Sequence, residues 1–132
     1  LTQVEYLKEG EEKNFALVDA AMNDLLRPAL YDAWQEILTL EESPDASAKV
    51  WEVVGPVCET GDFLGKDREL KLTANSYLAV KGAGAYGFAM ASNYNSRNKP
   101  AEILVKDKQA WVVRKRETYA DQLALESLPS WP

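Results

Sequence analysis

The sequence predicts a mainly β fold, a β-sandwich or Greek-key-like barrel of about six or seven short strands, with short helical turns and a C-terminal helix. Three observations predict it. Short apolar, often β-branched runs recur along the chain, each closed by Gly, Pro, Asn or Asp. Helical periodicity is confined to the end, beyond Glu117. The length of 132 residues, with 46% hydrophobic and 27% charged side chains, suits one globular domain spanning 1–132 with a single core. No internal repeat, low-complexity tract or domain boundary is visible.

The elements follow in order. Thr2 to Leu7 alternates well enough for a strand, and a turn at Glu9–Glu12 leads to a second, more buried strand at Phe15–Asp19. Asn23 to Tyr31 reads as a compact loop with one helical turn. Asn23 or Asp24 is available to cap it, while Pro28 limits any helix before it. Trp34–Leu40 predicts a third strand, and Glu42–Ser47 is loop sequence. Val50–Val54 is a β-branched run stopped by Gly55-Pro56, and Tyr77–Val80 is a strand ended by Gly82 and Gly84. Ile103–Val105 and Ala110–Val113 flank a turn at Lys106–Gln109, predicting an exposed hairpin. Ala120, Leu123, Ala124 and Leu128 share one helical face, and Pro129 ends that helix.

Charge and composition narrow the function. A formal charge of −6 argues against nucleic-acid binding, which calls for a basic face. No apolar run approaches the roughly 20 residues that span a bilayer, and no signal-peptide pattern opens the chain. The single cysteine, Cys58, suits a reducing compartment, so the cytosol is the expected location. The absence of histidine removes the commonest general base, and without a Cys/His cluster no metal site is expected. The chain opens at Leu1, directly in strand-like sequence, which suggests a fragment of a longer protein.

Three segments carry residues that a plain β domain does not require. In Gly55-Pro56-Val57-Cys58-Glu59-Thr60-Gly61-Asp62, a thiol and two carboxylates share one short loop. Negative neighbours favour a protonated thiol, a better proton donor than nucleophile. A small core hydrophobe is the other reading of Cys58. In the stretch from Gly82 to Asn95, small residues surround Tyr86. Its phenol could donate to an anion such as a phosphate, or pack with Phe88 in the core. In Asn23–Tyr31, Arg27 and Tyr31 are four apart, so a helical turn puts them on one face, where they could hold a carboxylate. A surface arginine beside a half-buried tyrosine is the other reading. Gly65–Glu69 mixes charges and reads as a solvated turn, and Arg114–Arg116 as an exposed strand end.

The stretches VDAAMNDLLRPALYDAW, VGPVCETGDFLGKDREL and GAGAYGFAMASNYNSR, followed by PAEILV and RKRET, resemble in that order the diaminopimelate decarboxylase family. The resemblance runs from about Phe15 to Thr118, with no departure at the positions that matter. It implies an alanine racemase-like enzyme that converts meso-2,6-diaminopimelate to L-lysine and carbon dioxide. A pyridoxal 5'-phosphate (PLP)-binding (β/α)8 barrel precedes a β domain, and two subunits pair head to tail. The barrel, with the lysine that holds the cofactor, is absent here, so this chain alone is expected to be inactive.

The resemblance also implies roles. Cys58 is the expected catalytic residue, giving a proton to the α-carbon across the subunit interface. Glu59 is expected at the distal end of the substrate, through its ammonium group. Ornithine-specific relatives carry aspartate there, so the longer Glu59 favours diaminopimelate. Arg27 and Tyr31 are expected substrate contacts, and Tyr86 is expected near both substrate and PLP phosphate. Asp62 is expected in a salt bridge across the dimer interface. Two alternatives stay open: a non-catalytic dimerisation or binding module, and a decarboxylase acting on ornithine, arginine or carboxynorspermidine.

Overall fold

The computed structural model describes residues 1–41 and 45–131. Its strands are β1 (Thr2–Lys8), β2 (Asn14–Val18), β3 (Ile37–Thr39), β4 (Lys49–Val54), β5 (Phe63–Leu70), β6 (Tyr77–Val80), β7 (Glu102–Lys106) and β8 (Gln109–Arg114). The helices are short: α1 (Arg27–Tyr31), α2 (Gly87–Met90), α3 (Tyr119–Leu123) and a 3-10 turn at Tyr94–Ser96. The mainly β expectation holds. The chain packs as two compact units, Leu1–Ala91 and Ser92–Pro132.

In the first unit six strands form one sheet in the order β3-β6-β1-β2-β4-β5. β1 and β2 form the predicted antiparallel hairpin, with a bulge between Val4 and Tyr6. β2 then pairs in parallel with β4, Asn14 opposite Trp51 and Leu17 opposite Val54. Parallel strands need a long crossover, and here the crossover carries α1 and β3. The two edge strands curl toward each other and almost close the sheet into a barrel. Gly65 permits that approach: a Cβ there would lie 2.7 Å from Ile37 Cδ1. The core is built by Val4, Ala16, Val18, Ile37, Trp51, Val53, Leu64 and Leu78, with Leu25, Leu70 and Leu72 around them. Trp51 satisfies its indole N–H on the Leu70 carbonyl at 3.2 Å, as a buried indole requires.

Several boundaries differ from the sequence expectations, each for a physical reason. No helix precedes Pro28, as expected, but it also sits in the first turn of α1, where proline needs no N–H partner. The predicted Trp34–Leu40 strand shrinks to the three residues of β3. Part of the predicted loop at Glu42–Ser47 lies outside the described residues. Gly65–Glu69 is no solvated turn but the middle of β5, paired with β4 and interrupted by a bulge. Asp67, at φ 53°, lies inside that bulge, which breaks the alternation by which a strand is recognised.

In the second unit β7 and β8 form the predicted hairpin around Asp107-Lys108, tied by an Arg114–Glu102 ion pair. The terminal helix forms, but only over the five residues of α3. Thr118 and Asp121 make a reciprocal capping box at its start, and the hydroxyl and N–H of Thr118 hold the Asp121 carboxyl below its usual range. Leu123, Leu125 and Leu128 are all exposed. No packed face supports further turns, and a helix this short is marginal without one.

Candidate functional site

The loop from Gly55 to Asp62 is organised by its last residue. Gly55 N–H donates to the Asp62 carbonyl at 3.0 Å, closing the base of the loop. Inside it, Glu59 N–H donates to the Val57 carbonyl and Asp62 N–H to the Glu59 carbonyl. The Asp62 side chain turns inward and is buried. Its Oδ2 accepts from Val57 N–H at 2.6 Å, and its Oδ1 accepts from Met22 N–H at 2.7 Å. Gly55 lies against this carboxylate, where a Cβ would come within 2.4 Å of Oδ2. Both Asp62 oxygens are thus engaged by the chain's own backbone. Cys58 and Glu59 ride on the loop tip and are exposed. The reading of Cys58 as a core hydrophobe is thereby set aside.

The segment before α1 is equally well held. Ala21 N–H donates to Asp24 Oδ2 at 2.9 Å, and Asp24 and Leu25 N–H return to the Ala21 carbonyl. Ala21, Asn23, Leu25 and Pro28 are buried, which anchors the turn. α1 ends where Asp32 adopts a left-handed conformation, φ 50°. One helical turn presents Arg27 and Tyr31 together, with the Arg27 guanidinium 6.0 Å from the Tyr31 ring centre.

Tyr86 reaches the same place from another direction. It follows β6, directly before α2, with a left-handed backbone, φ 64°. A bulky residue rarely adopts this conformation, and the cost is about 1–3 kcal/mol. The result is an exposed phenol whose ring centre lies 5.2 Å from the Arg27 guanidinium. Arg27, Tyr31 and Tyr86 thus form one surface cluster, and the core reading of Tyr86 does not apply. Cys58 and Glu59 stand on a separate loop, linked to the segment before α1 through Asp62. An exposed phenol beside a guanidinium offers the donors that a phosphate or carboxylate accepts from, so this surface fits an anionic group.

A neighbouring feature escaped the sequence reading. A shallow cleft of about 90 Å³, lined by Pro28, Trp34, Lys66 and Arg68 among others, lies beside α1 and β5. The Arg68 guanidinium packs 4.5 Å from the Trp34 ring centre, and its Nε is buried without a hydrogen-bond partner among the described residues. Burial pushes the Arg68 guanidinium down from its usual range, and Asp67 offsets this only in part. The signal was present as Arg68 four residues beyond Leu64 and two before Leu70, but the intervening bulge hid it.

Known proteins agree with this architecture. Residues 1–84 match the family described as pyridoxal-dependent decarboxylase, C-terminal sheet domain. The chain is 59% identical over 128 residues to a diaminopimelate decarboxylase of Pseudomonas fluorescens, covering 97% of this chain and 30% of that protein. It is 54% identical to the Vibrio cholerae enzyme of the same name, again over 97% of this chain and 30% of the relative. Among solved structures, diaminopimelate decarboxylase from M. jannaschii superposes with a TM-score of 0.91 at 38% identity, covering 98% of this chain and 30% of the other. The Helicobacter pylori enzyme (I148L mutant), complexed with L-lysine, gives a TM-score of 0.84 at 42% identity, over 94% of this chain and 30% of the other. This chain spans about 30% of the length of the curated relatives it matches. By its sequence and its sheet, it belongs to the C-terminal sheet domains of the pyridoxal-dependent decarboxylases.

Proposed function

We propose that this chain is the C-terminal part of a diaminopimelate decarboxylase, supplying the substrate-recognising and proton-donating side of an active site whose cofactor is held by a separate barrel domain. One observation carries the reading: in a chain close in sequence to enzymes of that name, Arg27, Tyr31 and Tyr86 converge on one surface while Cys58 and Glu59 stand exposed on a braced loop.

The chemistry follows from the residue types. The Arg27 fork matches a carboxylate at the distal end of diaminopimelate, and Tyr31 flanks it. Glu59 offers an acceptor for the distal ammonium group. Cys58 carries a transferable proton and delivers it to the α-carbon once carbon dioxide has left. Tyr86 would donate a hydrogen bond from its phenol to the phosphate of the cofactor. PLP, when bound, supplies the electron sink for the bond cleavage. This chain contributes position, charge and the proton.

In this reading the partners are the barrel domain and a second subunit, and the complete enzyme works in the cytoplasm. The β7–β8 hairpin supports an additional partner surface. Ile103, Leu104, Val105, Trp111, Val112 and Val113 are all exposed, an apolar area of the kind that other protein covers.

The test combines this chain, in trans or covalently joined, with a PLP barrel domain and follows carbon dioxide release from meso-diaminopimelate. Activity that needs both parts and collapses with Cys58→Ala supports the proposal. A folded, PLP-loaded complex that releases nothing overturns it.

A further inference from the structure

We infer that Asp62 is a positioning residue that sets the spacing between the two arms of the proposed site, the Arg27–Tyr31 helix and the Cys58–Glu59 loop tip. The inference rests on the decarboxylase reading above and adds to it a residue that never touches substrate.

A buried carboxylate gives up its hydration, which is unfavourable unless its oxygens are fully engaged. Asp62 divides them between two segments: Oδ2 takes Val57 N–H, beside Cys58, and Oδ1 takes Met22 N–H, at the entrance to the turn that leads into Arg27. Closing its own loop needs neither oxygen, because the backbone bond between Gly55 and Asp62 already does so. The bond to Met22 is therefore additional, and it joins two stretches distant in sequence. From Met22 the connection to Arg27 is stiff: the Asp24 side chain pins the turn, and Asn23, Leu25 and Pro28 are buried. A displacement of Met22 has no slack in which to dissipate before it reaches α1.

The bare α-carbon of Gly55 completes the device, since any side chain there would expel the carboxylate. The two Asp62 oxygens each accept from one N–H donor. Asparagine has the same size, but its amide places an N–H₂ donor against one of those donors. Asp62→Asn thus breaks one of the two links while keeping the volume.

The experiment compares Asp62→Asn and Gly55→Ala with Val4→Ala, a core substitution on β1, outside both arms. Each is tested in the chain alone and joined to its PLP barrel domain. Gly55→Ala displaces the carboxylate without deleting it, so a conclusion is available even if Asp62→Asn folds poorly. In the chain alone, amide NMR shifts are expected at Val57–Glu59 and also at Met22–Tyr31, with a changed rate of Cys58 alkylation by iodoacetamide. In the joined enzyme, KM for meso-diaminopimelate is expected to rise by about tenfold or more, with a fall in kcat, as misplacement of a binding group produces.

Val4→Ala should lower the melting temperature while leaving KM and the alkylation rate unchanged. Amide shifts confined to residues 55–62, or a KM that follows the melting temperature as in Val4→Ala, would overturn the inference. If the unsubstituted joined protein shows no turnover, the decarboxylase reading falls. The reach of the amide shifts still decides whether Asp62 couples the two arms.

Discussion

The guanidinium of Arg27 and the ring of Tyr86 meet at 5.2 Å, although one residue lies in the crossover between two parallel strands and the other beyond the sheet's sixth strand. At exposed positions such a contact contributes about 0.5–1 kcal/mol, little for the fold. The closeness matters for what the pair presents outward, a forked cation beside a phenol.

Arg27→Lys keeps the charge and removes the fork. In the enzyme joined to its barrel, KM for meso-diaminopimelate should rise about 10- to 100-fold, the loss of a charged hydrogen bond of about 1.5–3 kcal/mol. Thermal unfolding of this chain should be unchanged. Steady-state kinetics beside a melting curve checks both.

Tyr86→Gly relieves a left-handed backbone that tyrosine adopts at a cost of about 1–3 kcal/mol. Stability should therefore be retained or slightly raised despite the lost contact with Arg27, whereas turnover should fall and the PLP requirement rise. A lower melting temperature in calorimetry would contradict the claim that strain is stored at this position.

Gly65→Ala should destabilise the chain by about 1–3 kcal/mol, because the new methyl meets Arg68 Nε and Ile37 Cδ1 at van der Waals overlap. Arg68→Met, in contrast, should be neutral or stabilising, since it replaces a buried Nε that has no hydrogen-bond partner among the described residues with an apolar chain. Urea unfolding of the two variants should give opposite signs.

Asp19 predicts a pH dependence. Burial pushes its carboxyl up, but the Thr2 hydroxyl and the backbone N–H groups of Gln3 and Ala20 outweigh this and hold it below the ordinary carboxylate value of 3.8. A group depressed in the folded state stabilises fully above its unfolded value and loses that contribution as pH falls through the folded one. Stability should thus decline on acidification below about pH 4, and Asp19→Asn should flatten that decline. Urea midpoints measured across the acid range test it.

Much of this structure was legible from residue pattern. β1, β2, β4, β6 and the β7–β8 hairpin lie where apolar alternation and turn residues placed them, because each strand is bounded by a breaker that acts locally. β5 was not legible: its bulge at Asp67 breaks the alternation, and Arg68 is buried only because Gly65 and Trp34 make room for it. The helix after Thr118 was overdrawn because periodicity reports a face, not the presence of something to pack on it. Within the site, the pairing of Arg27 with Tyr31 follows from helical spacing. Tyr86 beside them depends on a left-handed backbone that tyrosine does not advertise. The inward turn of Asp62 depends on Met22, a partner far away in sequence.

The parallel pairing of β2 with β4 also has a kinetic side. Those two strands cannot meet until the intervening crossover, with Arg27 and Tyr31 upon it, has been gathered into a closed loop, and the entropy of that closure is spent before the pairing returns anything. Substitutions in β4 that weaken the pairing will therefore slow folding, whereas changes at the exposed tips of the crossover act mainly after the barrier, on unfolding. The proposed recognition surface can change its chemistry without altering how fast the sheet assembles.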